Sequence, residues 1–390
     1  MKNFIDKLSQ FPHRWSGSEN NTLALEAIRE TFNSYGFETQ LESFRVPGTM
    51  FIRIILSIIL LFGIFFFLKD YYFLSLILYS LILISLWGEL NFSFNLLGMF
   101  FPGHKTTNLV AKLNTHIIRK KQVIVVAHHD SPKTGLLYQV SDWLAPKQAQ
   151  LPVMLNRMFV LPFMAAVLLG LLIAIRPLDI SSLVTTPLAI FSIFVMSVIL
   201  LILLNMIGSK YSQGANDNGS ALIVLLELAR RFSQNKSKNI PITLLSTGAE
   251  EVGLTGIKNY IKTHPELDKE YTLFINLECL GGGVLHWVTG EHYFRKLDYP
   301  SHGIDIIQKV EKQNNIPVLP KVPLISPTDA SPLANNGFNV ITLIGLNQGV
   351  VPSNYHRIQD TFDRLDVSLL QKSADIIESV IYNYSSADKL

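Results

Sequence analysis

The chain has 390 residues and a formal net charge of +3 at pH 7, with 48% apolar and only 16% charged residues. A balance so close to neutral, without any basic run, gives no electrostatic footprint for nucleic acid, and a single cysteine, Cys279, excludes an internal disulfide framework. The apolar excess is too large for an ordinary soluble domain and points to segments that leave water.

The N-terminus, MKNFIDKLSQFPHRW, lacks the apolar core of a signal peptide. Asn21 to Tyr35 has helical spacing and ends at Gly36; Phe37 to Val46 reads as β structure. Next come Phe51 to Leu68, broken only by Arg53, and the uncharged run Tyr71 to Gly88; further on, Met158 to Ile175 and Ile180 to Ser209 are also uncharged. A hydrocarbon layer of about 30 Å takes about 20 mostly apolar residues in a helix. The four runs therefore read as membrane helices in two tight hairpins, turned by Lys69-Asp70 and by Arg176 to Asp179, with Arg53 snorkelling to the interface. The implied organisation is a soluble domain built from 1–49, 103–150 and 209–390, interrupted by a first hairpin at 50–102 and a second at 151–208. Two hairpins bring all soluble segments to one side of the bilayer. Arg45, Arg53, Lys105, Lys147, Arg157 and Lys210 near that side, against Lys69 and Arg176 on the other, place it in the cytoplasm. The spans hold almost no interior ionisable residues, which argues against a transport path. Anchoring in lipid, or pairing of copies into a homo-oligomer through the membrane helices, are the roles such hairpins could serve.

The remaining segments alternate. Asn108 to Leu113 and the apolar QVIVVA before His128 read as strands, followed by helix Ala221 to Phe232, strand Ile242 to Leu245 and helix Gly253 to Lys262. Strand Thr272 to Leu277, helix Gly303 to Gln313, strand Pro317-Val318, strand Asn339 to Gly345 and helix Val367 to Tyr384 complete the series. This predicts an α/β fold with a mostly parallel or mixed sheet sandwiched by helices. In such sheets the ligand site lies beyond the carboxyl ends of the strands. His128, Asp217, the pair Glu250-Glu251, Glu278 and His356 all fall there, each in a different strand-end loop. Singly, a histidine is ordinarily structural, an aspartate before a helix is an N-cap, and a glutamate pair is a solvated face. Together, at five successive loops, they form a set of imidazole and carboxylate donors of the kind that zinc takes.

The order of these motifs, AHHDS, GANDNGS, EEVGLTG, NLE, TDASPLANNGFNVI and YHRIQDT, resembles the co-catalytic zinc aminopeptidases of metallopeptidase family twenty-eight, relatives of glutamate carboxypeptidase and glutaminyl cyclase. The early RWSGSENN segment through ESF is similar to that family's N-terminal helix, so the resemblance covers nearly all the sequence outside the hairpins. It implies two Zn2+ ions, one bound by His128 and Glu278 and the other by Glu251 and His356, with Asp217 bridging. It also implies that Asp130 orients the His128 ring and that Asp360 orients the His356 loop. Glu250 would be the general base, taking a proton from a water held between the metals and passing it to the leaving amine, while Tyr355 would donate to the oxyanion.

There are departures from the pattern: Glu278 where aspartate is more usual, Ala330 after Asp329 where histidine is common, and Ala221 where glycine is usual. None removes a ligand. The expected function is thus a membrane-anchored dinuclear zinc exopeptidase acting on N-terminal residues of peptide substrates. The alternatives are a glutaminyl-cyclase-like acyl transfer with one zinc, or a non-catalytic module on the same fold. Gly282 to Pro300 and Lys321 to Ser331 are expected as loops that shape specificity. GMFFPGHKT, from Gly98, imitates a phosphate loop but has His104 in place of the lysine and no preceding strand, and Cys279 reads as a buried small hydrophobe.

Overall fold

The computed structural model describes residues 1–90, 96–98, 101–113, 121–135, 182–234, 241–292, 296–313, 315–324, 326–347 and 351–386. They divide into two compact units. One comprises Met1–Val46, Lys105–Thr134 and Lys210–Leu390; the other comprises Pro47–His104 and Gly135–Ser209.

The first unit opens with helices α1 (Lys2–Leu8) and α2 (Glu19–Ser34). Ser18 caps α2 by accepting the Asn21 N–H at 3.1 Å, which satisfies one of the helix's orphan donors. Strand β1 (Phe37–Pro47) and β2 (Pro102–Leu113) form one end of a nine-stranded sheet with β3 (Gln122–His128), β4 (Ile242–Thr247), β5 (Thr272–Glu278), β6 (Val284–His292), β7 (Lys296–Asp298), β8 (Lys321–Leu324) and β9 (Asn339–Leu346). The order is β1-β2-β4-β3-β5-β9-β6-β7, with β8 beside β6. The central strands β4, β3, β5 and β9 are mutually parallel, while β2 and β6 join them antiparallel. The sheet is therefore mixed, with the parallel part at its centre.

That centre is buried on both faces: every described residue of β4, β5 and β9 is buried, as is β3 after Gln122. Burial on both faces is why these strands read as continuous apolar runs in place of alternating ones. The cover comes from the helices that join them, in order α6 (Ser220–Gln234), α7 (Thr255–Thr263), α8 (Ser301–Lys312), α9 (Ala330–Asn335) and α10 (Val367–Ser386). Helix α6 lies deepest, with Ser220 through Ala229 all buried, including Ala221.

Some expected elements shift. Pro317-Val318 carries no strand, and the strand nearby is β8. The segment expected as a loop from Gly282 to Pro300 is mostly β6 and β7, and Lys321 to Ser331 begins with β8 and ends in α9. Both lie on the antiparallel side of the sheet, where strands are short or half exposed and no long apolar run announces them. The phosphate-loop mimic is not a loop before a helix: from Pro102 onward it is the start of β2.

In the second unit, α3 (Thr49–Leu68), α4 (Tyr72–Leu90) and α5 (Ser182–Gly208) share one apolar cluster that includes Leu56, Leu60, Tyr79, Ile82, Met196 and Leu203. Ser75 ties α4 to α3 by donating to the Gly63 carbonyl at 2.8 Å. Of the four expected spans, two described helices are long and apolar enough to cross a membrane, Phe51–Leu68 and Ala189–Gly208; Tyr72–Gly88 is apolar but shorter, and Met158 to Ile175 lies outside the described residues.

Candidate metal centre

The five predicted donors meet at one place. His128 ends β3 and Glu278 ends β5, Glu250 and Glu251 follow β4, Asp217 precedes α6, and His356 lies after β9. The parallel register of β3 with β4 and β5 brings the first three loops side by side. Three trios result, each with donor atoms within 4.8 Å of one another: His128, Asp217 and Glu278; Asp217, Glu251 and His356; and His128, Glu250 and Glu251. The first two share Asp217. Its Oδ1 is 3.4 Å from His128 Nε2 and its Oδ2 is 3.2 Å from His356 Nε2. Glu278 Oε2 stands 3.6 Å from His128 Nε2, and Glu251 Oε2 stands 3.5 Å from His356 Nε2.

The adjacent glutamates diverge. Glu251 faces His356, while Glu250 reaches to 4.0 Å from His128 Nε2 and is the most exposed of the site's carboxylates that pair with a histidine, with 13% of its side chain accessible. The turn that separates them is tight: Ala249 takes φ +58°, and the N–H groups of Gly253 and Leu254 both donate to the Glu250 carbonyl. Gly256 lets this turn pack, because a Cβ there would stand 2.2 Å from the Gly248 carbonyl oxygen. His356 and Cys279, at φ +53° and +48°, are also non-glycine residues in the left-handed region, a conformation that persists only where the surroundings impose it.

Two aspartates hold the ligand loops differently from the expectation. Asp130 accepts the N–H of Glu250 at Oδ1 and of Glu251 at Oδ2, both at 3.1 Å. Its carboxylate lies 3.5 Å from His128 Nδ1, and that nitrogen is nearer, at 3.1 Å, to the Asp130 backbone carbonyl. Its side chain therefore grips the glutamate turn while also facing the imidazole, which its backbone carbonyl approaches more closely. Asp360 likewise accepts the N–H of Asn216 at 2.7 Å and of Asp217 at 3.1 Å. It positions the loop of the shared aspartate, in addition to sitting in the turn after His356. A carboxylate taking two consecutive backbone N–H groups fixes both dihedrals of the turn, which distance along the chain cannot reveal.

Three further residues went unread in the sequence. Arg14 is fully buried, and donates from Nε to the His129 carbonyl at 3.0 Å, and from its terminal nitrogens to the carbonyls of Gln213 at 2.8 Å and Gly214 at 2.7 Å. It staples the His128 loop to the Asp217 loop. Burial pulls its pKa down to about 10, against the raising effect of Asp360, Asp130, Asp217 and Glu251, so it keeps its charge. Asn218 and Asn276 donate to the two oxygens of Glu278, at 3.0 and 3.2 Å. Asn218 lies inside the GANDNGS motif, so its type was visible although its partner was not; Arg14 carries no such signal. Tyr355 lies against the His356 ring, with centroids 4.0 Å apart. Cys279 is buried, as expected, and burial pushes its thiol well up.

The site is crowded with negative charge. Asp130, Asp217, Glu278, Asp329 and Asp360 are buried and Glu250 and Glu251 nearly so, against one guanidinium and two imidazoles. Burial raises Glu250, Glu251 and Glu278 above the usual carboxyl range. It opposes ionisation of Asp217 too, but hydrogen bonds from His128 and His356 outweigh it and hold that group low. Glu251 Oε1 is buried and accepts no hydrogen bond among the described residues, and the buried Asp217 Oδ2 faces only the His356 Nε2 at 3.2 Å. Buried carboxylate oxygens left open, facing imidazole nitrogens, fit divalent cations.

Residues 202–381 match the pattern of peptidase family M28. This part of the chain belongs to that family. The M28 match holds Asp217, Glu250, Glu251, Glu278 and His356, while His128 precedes it. Aminopeptidase YwaD of Bacillus subtilis (strain 168) is similar at 26% identity over 184 residues, which is 46% of this chain and 39% of that protein. The chain thus matches well under half the length of this curated relative. Among solved structures, BSAP, a zinc aminopeptidase from Bacillus subtilis, superposes with TM-score 0.57 at 12% identity, covering 100% of this chain and 96% of that one. Bacteroides thetaiotaomicron glutaminyl cyclase gives 0.56 at 13%, covering 98% and 96%. At such identities these likenesses show the shared fold.

Away from the centre, Glu291 of β6 is buried and accepts from the hydroxyls of Thr328 at 2.6 Å, Tyr299 at 2.7 Å and Ser331, and from the Thr328 N–H at 3.1 Å. Burial nevertheless pushes it up to about 8. A carboxyl with a raised folded value stabilises the fold in its protonated form. That contribution is whole below the free-carboxyl value and is lost as pH rises to about 8, at about 1.4 kcal/mol per pH unit in that window. Glu291→Gln should flatten the decline in unfolding midpoint between pH 5 and pH 8, as measured by thermal melts at both; an unchanged slope would remove Glu291 as its source.

Proposed function

We propose that the chain is a membrane-anchored zinc exopeptidase that removes N-terminal residues from peptides. The observation that carries this reading is the convergence of His128, Asp217, Glu251, Glu278 and His356 into two trios sharing one aspartate, with Glu250 left beside them. His128, Glu278 and one oxygen of Asp217 would hold one zinc; Glu251, His356 and the other oxygen of Asp217 would hold a second. Zinc in such a site supplies Lewis acidity that polarises a carbonyl and brings the pKa of water to about 7.

The protein's own groups do the rest. Glu250, whose carboxyl burial raises above the usual range, accepts a proton from the attacking water and returns it to the amine nitrogen as the C–N bond breaks. Asp130 holds the Glu250 N–H and so aims the side chain. Arg14, Asn218 and Asn276 keep the loops and the Glu278 carboxylate from drifting. Tyr355, packed on His356, is placed to donate to the carbonyl oxygen as negative charge develops there. A non-catalytic module would be expected to have lost donors, and this centre has all five.

Anchoring is supported by the second unit. Phe51–Leu68 and Ala189–Gly208 are only 33% and 28% buried, although strongly apolar. Side chains such as Phe62, Phe65, Leu68, Ile190, Phe194 and Leu201 are exposed. Helices apolar within and without suit lipid, not water. The two-hairpin arrangement and a cytoplasmic peptidase unit, from the basic residues near the helix ends, complete the proposal.

Chelation should abolish hydrolysis of aminoacyl chromogenic substrates, and back-titration should restore it fully only at two equivalents of zinc. Full activity at one equivalent, with release of a cyclised N-terminus from glutaminyl peptides, would favour the cyclase reading. No hydrolysis at any loading would end the peptidase reading.

A further inference from the structure

The chain leaves the peptidase unit and returns to it at four points: Val46, Lys105, Thr134 and Lys210. The four residues of the unit nearest each point are SFRV, KTTN, SPKT and KYSQ. Each quartet holds one basic residue, Arg45, Lys105, Lys133 or Lys210, and none holds an acidic one. Arg45, Lys105 and Lys210 are exposed.

These points are gathered together within the unit. Ser43 and Thr107, two residues from Arg45 and Lys105, share a hydrogen bond at 3.2 Å. Lys133 pairs with Tyr211 in a β-bridge, and the Thr134 N–H donates to the Lys210 carbonyl at 2.8 Å. Trp15 links the two pairs. It clusters with Phe44 and Val46 on one side, while its ring lies 6.0 Å from that of Tyr211 and 5.9 Å from Lys133 Nζ. His13 stacks on the Tyr211 ring at 4.3 Å. Ala249 and Val252, in the turn of Glu250 and Glu251, belong to the same cluster as Trp15, so this rim borders the catalytic turn.

We infer that this rim binds anionic lipid headgroups, through Arg45, Lys105, Lys133 and Lys210 around the aromatic group of Trp15, Tyr211 and His13. Basic side chains in short stretches that carry no acidic residue, beside amphipathic rings, are what a negatively charged bilayer surface attracts. Lipid is the occupant because KYSQ follows directly on the apolar run Ile180 to Ser209 and SFRV stands just before the run that begins at Phe51, while the other two quartets are joined to these by the contacts above. The inference rests on the membrane-anchored reading above.

The test uses the full chain in nanodiscs of phosphatidylcholine alone or with roughly one third phosphatidylglycerol, and follows reductive methylation of each lysine by formaldehyde, an uncharged reagent. Lys105 and Lys210 should react at least about 3-fold more slowly in the anionic discs, and the difference should collapse at high salt. Lys296, on β7 at the opposite edge of the sheet from β1, should be unchanged. Equal rates in both compositions, or equal slowing of Lys296, would overturn the rim while leaving the anchor intact. Recovery of the chain outside the discs would overturn the anchor and the rim together, and neither result bears on hydrolysis.

Discussion

Glu250→Gln should lower kcat by about 10²- to 10⁴-fold while leaving metal content unchanged. The substitution keeps shape and removes the proton acceptor. Glu250 stands 4.0 Å from His128, farther than either Asp217 or Glu278, and the two trios that share Asp217 close without it. Its N–H, which Asp130 holds, is untouched, so the turn and Glu251 stay in place. Steady-state kinetics on an aminoacyl substrate beside elemental analysis would check both halves. A variant that loses metal along with activity would make Glu250 a ligand; one that keeps full activity would remove it from the chemistry. Glu251→Gln should behave differently, because that oxygen faces His356 and its loss empties one trio.

Arg14→Met should destabilise the peptidase unit by about 3–5 kcal/mol and weaken metal binding by about 10- to 100-fold. The guanidinium satisfies three buried carbonyls, those of His129, Gln213 and Gly214. Methionine fills much of the space and leaves the His129 and Gln213 carbonyls without this donor, while the Gly214 carbonyl keeps only the Gly219 N–H at 3.0 Å. It also deletes a buried cation near Asp130, Asp217 and Asp360, so their mutual repulsion is less compensated. Both loops that Arg14 joins carry ligands, and either can then drift. Denaturant unfolding and a zinc titration would test this, with exposed Arg29→Met as the control. A loss of stability without a loss of affinity would confine Arg14 to packing.

The two predictions rest on different kinds of information. Glu250 could be named from the chain alone, because EEVGLTG follows an apolar strand and stands in order with four other strand-end motifs. The central strands were legible for a related reason: burial on both faces demands unbroken apolar residues, and that demand is written locally. The antiparallel side was not, because β7 and β8 are short and partly exposed and β6 finds its long-range partners, β8 and β9, well beyond it in the chain. The apolar helices follow from composition, yet among the described residues length sets α4 just below the two longer ones.

The second layer of the centre escaped the reading. Asp130 and Asp360 were noticed as acids near ligands, but each grips backbone N–H groups of another loop, Glu250-Glu251 and Asn216-Asp217 respectively. Arg14 lies 115 positions or more from the carbonyls it holds, and Asn276 is an amide in a strand like any other.

From the order of residues alone follow the donor types, the strand ends that bear them and the apolar segments, since these depend on side-chain chemistry and local periodicity. Tertiary structure alone decided which oxygen of Asp217 faces which histidine, which turn each aspartate clamps, and that Arg14 sits beneath two ligand loops. Those choices depend on distances between loops that only parallel strand register and packing create.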